Sequence, residues 1–341
     1  MPTWSVCPAR GGPGATTHVT KRALITGVAG QDGTYLTDLL VAKGYQVFGV
    51  LGPAPGAFVD RVEDWDGAFV GVQADMTDTE SLRAVVAETC PDEVYNFAGI
   101  SSVGQSWSQA ELVANVNGVG VVRLLEAIRD LAPAARFCQA SSAEIFGRPA
   151  EVPQNESTPI APVSPYGDSK AYGHFVTSTY RDAHGIHANN AILYNHESPL
   201  RPVSFVTAKI ADAAARIKLG LSAELQIGNL DVRRDWGFAG DYVRAMWLIL
   251  QVDSPSDYVI STGAAHSVRD VCQFAFERVG LDYERYVHVN PEFFRPAEAD
   301  ILVGDSSIAR EMLGWEPEVG FDELIGIMVD AHLARLSEGN A

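Results

Sequence analysis

The run Ala23-Leu24-Ile25-Thr26-Gly27-Val28-Ala29-Gly30-Gln31-Asp32-Gly33 constrains this chain more than any other segment. It reads as a short buried strand, a turn with glycines spaced G-x-x-G-x-x-G, and the start of a helix. The helix is expected from Gly33 to about Lys43, with apolar residues at Tyr35, Leu36, Leu39 and Leu40 and a stop at Gly44. Glycines in such a turn let backbone approach a pyrophosphate, and the helix start offers unpaired N–H groups and a partial positive charge. Three glycines alone are a weak signal, because the same spacing also occurs in structural turns. With the strand before and the helix after, the segment points to dinucleotide binding.

The chain then alternates strand and helix patterns. Strands are expected at 46–50, 68–73, 93–98, 136–141 and 187–194, with helices at 78–88, 112–131 and 166–184. Thr77 and Asp78 supply a helix cap. Six strands separated by helices predict an α/β fold with a doubly wound parallel sheet of the Rossmann kind. Beyond residue 195 the alternation weakens and prolines break it, so a smaller C-terminal α/β lobe is expected, with helices near 205–219, 240–251, 267–279 and 321–336. The expected organisation is a flexible tail over 1–20, a dinucleotide-binding domain with the catalytic residues over 21–195, and a mainly substrate-binding lobe over 196–341 with some return to the sheet.

Composition narrows the partners. The 341 residues are 47% hydrophobic and 20% charged, which describes a globular chain. A formal net charge of −18 disfavours nucleic acid as a partner. No apolar run approaches the ~20 residues of a membrane span. The four cysteines Cys7, Cys90, Cys138 and Cys272 lie far apart without a C-x-x-C. Neither a metal cluster nor a disulfide framework is expected, and a cytoplasmic location fits. Residues 1–20 lack the apolar core of a secretory signal.

A second constellation carries chemistry. Ser141, Ser142 and Glu144 follow the fifth strand, and Tyr166 and Lys170 share one helix face four residues apart. An ammonium beside a phenol lowers the phenol's pKa, so the tyrosine can act as a base near neutrality. A Y-x-x-x-K pair alone is most simply a surface pair. Joined to the glycine turn and the serines, it becomes a candidate active site.

Gly27, Gly30, Gly33, the Asn96–Gly99 segment, Asn117, Gly120, Tyr166 and Lys170 together resemble the extended short-chain dehydrogenase/reductases. Within them, the stretches 26–33, 91–96, 139–144, 164–167, 195–199, 234–237 and 293–298 are similar to the GDP-mannose 4,6-dehydratase family. The resemblance covers about residues 21–335. It implies a nicotinamide cofactor that stays bound and is recycled, and a GDP-hexose substrate. The implied cofactor contacts are Gly27, Gly30, Gln31, Asp32, Gly33, Asp75, Met76, Phe97, Ala98, Tyr166 and Lys170. The implied catalytic set is Ser142, in place of the family's threonine, with Glu144, Tyr166 and Lys170. For the substrate it implies Ser101, Asn195, Glu197, Lys209, Arg234, Arg295 and Glu298, with His196 structural.

Glu144 separates the readings, because elimination needs a base at C5 whereas a 4-reductase or epimerase does not. A related dehydratase acting on another sugar nucleotide or nucleoside, returning hydride to C4 and leaving an exocyclic alkene, would use the same residues. A non-enzymatic NAD(P) sensor would not need them. One departure bears on the cofactor. The family carries an Arg-Arg pair after the second strand, which binds the 2′-phosphate of NADP and reaches a neighbouring subunit. Here the stretch is Leu51-Gly52-Pro53-Ala54-Pro55-Gly56, with no cation. NAD is therefore favoured over NADP. A homo-oligomer is expected, a dimer rather than the tetramer that this contact supports.

Overall fold

The structure, a computed structural model, describes residues 4–8, 20–52, 65, 67–294 and 301–338. Two compact units are apparent. The first comprises Met1–Gly147, Ile160–Ile192 and Val243–Tyr258, and the second Arg148–Pro159, Leu193–Tyr242 and Val259–Ala341. The chain thus passes between the units more than once rather than at a single cut.

The central sheet contains β1 (Arg22–Thr26), β2 (Gln46–Leu51), β3 (Phe69–Gln73), β4 (Glu93–Asn96), β5 (Arg136–Ser142), β6 (Ala188–Leu193) and β7 (Asp257–Ile260). Their order is β7-β6-β5-β4-β1-β2-β3. Seven strands are present where six were expected. The added one follows the turn that contains Pro255, where the alternation had faded. β1 pairs in parallel with β2 on one side and β4 on the other, and β2–β3 and β4–β5 are also parallel. The strand order therefore reverses between β1 and β4, where open α/β sheets place ligands beyond the carboxyl ends of the strands.

Helices α1 (Gln31–Ala42), α2 (Thr79–Thr89), α3 (Gly120–Leu131) and α4 (Pro165–His184) accompany this sheet. α1 starts at Gln31, two residues before the expected Gly33. Asp78 caps α2, its carboxylate accepting from Glu80 N at 3.0 Å. The single helix expected over 112–131 is interrupted: a short turn at Ala110–Val113 widens into a π-helix at Ala114–Val119 before α3 begins. Asn117 lies in this wide turn. Its side chain accepts from Ile100 N at 2.9 Å and donates to Ile100 O at 3.1 Å, anchoring the turn to the segment after β4. Leu24, Val85, Val94, Leu124, Leu125, Ile128 and Phe137 form the buried core between sheet and helices.

The expected tail is tied down where it is described. Cys7 N donates to Leu131 O at 2.7 Å, and Trp4 and Cys7 pack against the α2–α3 core. Cys7 and Cys90 form a disulfide. No disulfide was expected from the cysteine spacing, so this bond corrects that reading and removes the cysteine argument for a reducing compartment. The pairing was invisible because 83 residues separate the two, and only the docked 4–8 segment brings them together.

In the second unit, helices Val206–Lys218, Val268–Arg278 and Phe321–Glu338 enclose Ile210, Ala214, Val271, Phe276, Leu324 and Met328. A short strand Asn195–Glu197 pairs in parallel with Trp236–Phe238. Among the described residues, no helix is long and apolar enough to cross a membrane.

Candidate active site

The glycine turn closes on contacts that exclude larger side chains. Gly27 has φ +68°, and a Cβ there would lie 2.7 Å from Ala98 N. A Cβ on Gly33 would lie 2.5 Å from both Val28 Cα and Val28 O. These are backbone atoms and cannot give way, so Gly27 and Gly33 are required for the turn to close. Gly30 N donates to Gly27 O at 3.0 Å. Gly30 is also the N-cap of α1 and supplies no capping side chain to its first turn. The cradle, helix start and Gly-lined approach fit a dinucleotide pyrophosphate. Phe97 and Ala98 lie just beyond β4, which ends at Asn96 rather than the expected 98. Ala98 N is held by Thr26 Oγ1 at 3.1 Å. Gln31 donates to Asp32 Oδ1 at 3.2 Å.

Asp75 accepts from both the N–H and the hydroxyl of Thr77 at 2.8 Å. These bonds hold its carboxyl below the usual range, against a small opposing effect of burial. Met76 is buried, with its carbonyl bonded by Arg123 at 3.0 Å. Ser101 is exposed and Asn195 half-buried.

Backbone packing brings the chemical residues together. Ser142 ends β5 and caps the one-turn 3-10 helix Ala143–Phe146, its Oγ accepting from Glu144 N at 3.2 Å. That acceptor role does not use its O–H hydrogen. Ser164 caps α4 by accepting from Gly167 N at 3.1 Å, and Pro165 opens the helix, so Tyr166 lies in the first turn. A Cβ on Gly167 would lie 2.8 Å from Glu144 O. The missing side chain lets the α4 start rest against the Glu144 turn, beside Tyr166. One turn on, Lys170 Nζ sits 5.8 Å from the Tyr166 ring centroid and donates to Ala140 O at 2.9 Å. Tyr166 and Lys170 are each 8% exposed. Burial pushes the Lys170 ammonium down to about 8, partly opposed by the Asp32 carboxylate. The group therefore gives up its proton more readily than an exposed lysine does, one helical turn from Tyr166.

Apart from Ser101, which is in the first unit, the residues expected to meet a nucleotide sugar belong to the second unit. Glu197 is 2% exposed and already engaged. Its Oε2 accepts from Thr207 at 2.6 Å and pairs with Arg201 Nε at 3.1 Å. Arg201, stacked 3.7 Å from the Phe205 ring centroid, was not among the expected site residues. Its spacing of four from Glu197 was the available signal. Lys209 donates to Gln226 O at 2.7 Å and lies 4.6 Å from the Phe293 ring centroid. Arg234 is buried and donates to Arg233 O at 2.8 Å. The next residue, Asp235, anchors the turn after β7, accepting from Thr262 N at 2.9 Å and Gly263 N at 2.8 Å. His196 donates from Nδ1 to Tyr194 O at 2.8 Å and stacks on Tyr242. Arg295 and Glu298, and Pro53–Gly56 of the cation-free stretch, lie outside the described residues.

Comparison with known proteins identifies the family. The family profile described as GDP-mannose 4,6 dehydratase matches residues 24–328. GDP-mannose 4,6 dehydratase 2 of Arabidopsis thaliana is 46% identical, covering 92% of this chain and 87% of its own. GDP-mannose 4,6-dehydratase of Sinorhizobium fredii is 43% identical, covering 93% and 97%. Among solved structures, Thermus thermophilus UDP-glucose 4-epimerase in complex with NAD superposes with a TM-score of 0.81 at 28% identity, over 91% of this chain and 98% of that one. With the glycine cradle, the Ser142–Glu144 turn and the Tyr166–Lys170 pair in place, this chain belongs to the GDP-mannose 4,6-dehydratase family.

Proposed function

We propose that this enzyme converts GDP-mannose into GDP-4-keto-6-deoxymannose, with Ser142, Glu144, Tyr166 and Lys170 as its catalytic residues. The observation that carries the reading is the seating of the α4 start, with Tyr166 in its first turn and Lys170 one turn on, against the backbone of the Glu144 turn. A bound nicotinamide supplies the acceptor for the C4 hydride and its return to C6. Gly27, Gly30, Gly33 and the α1 start would hold its pyrophosphate, and Lys170 its ribose. NAD is the favoured form, because the stretch after β2 carries no cation for a 2′-phosphate.

Tyr166 takes the C4 hydroxyl proton, aided by the Lys170 ammonium, while Ser142 donates to the C4 oxygen. The resulting ketone acidifies C5. Glu144 removes the C5 proton and gives a proton to the departing C6 hydroxyl, which leaves as water. The C5–C6 alkene so formed, conjugated to the ketone, would take the returned hydride at C6 and a proton at C5 from Tyr166, leaving a C4 carbonyl and a C6 methyl with the loss of one water. Asn195, Arg234 and Lys209 are assigned to the sugar nucleotide, with Glu197 holding Arg201 in place for the same task. An arginine fork suits a diphosphate because it pairs with two oxygens at once.

A homodimer is the favoured assembly. Tyr172 and Phe175 of α4 are exposed, as are Leu112 and Val119, and Gly118 brings the Val119 turn against Tyr172. Sedimentation of the purified protein checks this.

The test of function is incubation with a panel of nucleotide sugars, read by mass. GDP-mannose should lose one water and gain a ketone. Loss of water with an alkene would favour the exocyclic-alkene product, and no loss would remove the dehydratase reading. Glu144→Gln should slow elimination about 10²–10⁴-fold and exchange no C5 proton with deuterated water, while still accumulating reduced nicotinamide. Tyr166→Phe should show neither reduction nor turnover. A Glu144→Gln enzyme at the wild-type rate would remove the carboxylate from the mechanism.

A further inference from the structure

A row of buried polar side chains crosses the middle of the sheet beneath the lysine. Thr26 faces Asn96 in the β1–β4 register, and Asn96 faces Gln139 in the β4–β5 register. None of the three is more than 2% exposed. Their hydrogen bonds all run one way. Ala98 N donates to Thr26 Oγ1 at 3.1 Å, and the Thr26 hydroxyl donates to Asn96 Oδ1 at 2.5 Å. Asn96 Nδ2 donates to Gln139 Oε1 at 2.7 Å, and Gln139 Nε2 donates to Ala140 O at 3.1 Å. That carbonyl is the one that accepts from Lys170 Nζ.

The direction is forced. Thr26 accepts from a backbone N–H, so its own hydrogen goes to Asn96 and turns the Asn96 oxygen toward β1. The Asn96 amide nitrogen must then face Gln139, and the Gln139 nitrogen must face Ala140. A network fixes amide orientations in this way, and each bond polarises the next. Apolar side chains would fill these positions without the cost of burying amides, which stays small only when every group is bonded. The chain of bonds ends on the one acceptor described for the flexible lysine ammonium.

We propose that Gln139 is a positioning residue for the reaction. It fixes the Ala140 carbonyl that holds Lys170, and through Asn96 and Thr26 it ties that carbonyl to the Ala98 backbone beside the glycine cradle. Gln139 touches neither substrate nor dinucleotide and acts through Lys170 alone. The proposal rests on the assignment of Tyr166 and Lys170 made above.

The test compares Gln139→Met, which keeps the volume and removes the bonds, with the isosteric Thr26→Val and with Lys170→Met. The first reading uses the protein as isolated and follows nicotinamide reduction in the first turnover with GDP-mannose against pH. Gln139→Met should be slower by about tenfold or more with substrate KM within about twofold, as expected when a reacting group is misplaced rather than binding lost. The second reading needs no substrate: the pH at which resistance to urea of dinucleotide-free protein begins to rise, set by Lys170. Losing its aligned acceptor lowers the proton affinity of Lys170, so this point should fall by about half a pH unit or more in Gln139→Met and by less in Thr26→Val. Thr26→Val should also weaken dinucleotide binding, because it releases Ala98 N. A folded Gln139→Met with the wild-type point and a rate within about twofold would overturn the proposal. If Gln139→Met does not fold, Thr26→Val decides it, and an unmoved or raised point overturns it. Hydride transfer that survives Lys170→Met would instead remove the site assignment, and the proposal with it.

Discussion

Replacing Lys170 by methionine should make the dinucleotide-free protein more stable and the enzyme inactive. Burial lowers this ammonium from 10.5 to about 8. At 1.36 kcal/mol for each tenfold change in proton affinity, holding the charge inside costs about 3 kcal/mol. Methionine fills similar volume with no charge. The substitution does lose the bond to Ala140 O, but Gln139 still donates to that carbonyl, so no acceptor is orphaned. The net gain should be about 1–3 kcal/mol near pH 7. The sign of its pH dependence follows from the lowered value. Below about pH 8 the lysine is charged in both folded and unfolded chains, and the full cost is present. Between about 8 and 10.5 the folded chain sheds its proton while the unfolded chain keeps it, so the wild type gains stability as pH rises. The advantage of Lys170→Met should therefore shrink to less than about 1 kcal/mol near pH 10. Equilibrium urea unfolding at the two pH values measures it, with both proteins stripped of dinucleotide. A variant less stable than wild type near neutrality, or an advantage independent of pH, would refute the reasoning.

Gly33→Ala should weaken dinucleotide binding about 5–150-fold, the range that a forced backbone shift of about 1–3 kcal/mol implies; fluorescence titration with NAD checks this. NAD should bind at least as tightly as NADP in the same assay, and NADP tighter by about a hundredfold would mean another cation serves the 2′-phosphate. Cys7→Ser should lose about 2–4 kcal/mol, since the bond closes a long loop. Reductant should destabilise the wild type by a similar amount and leave Cys7→Ser unchanged, as thermal melts with and without thiol would show.

Much of the first unit was legible in the sequence because its signals are local. Short segments rich in apolar residues marked β1, β2, β4 and β5, and Asp78 stood where a cap belongs. The glycine spacing announced the cradle because backbone crowding at Gly27 and Gly33 admits no other residue. Other features were hidden for definite reasons. The π-turn at Ala114–Val119 follows from the bonds of Asn117 to Ile100, seventeen residues away, and helical periodicity cannot register it. β7 is only four residues long and depends on a place at the sheet edge. Arg201 reads as an ordinary surface cation until Glu197 and Phe205 are seen beside it.

The sequence by itself determined the alternation of strands and helices, the glycine cradle and the residue types proposed for proton transfer, since each depends on neighbours within a few positions. Only the tertiary structure decided how those residues meet. It seated Tyr166 against the Glu144 turn through Gly167, joined Cys7 to Cys90, and ran one line of hydrogen bonds from Ala98 to Lys170. These are contacts between segments distant in sequence, and their geometry exists only once the sheet has set strand order and register.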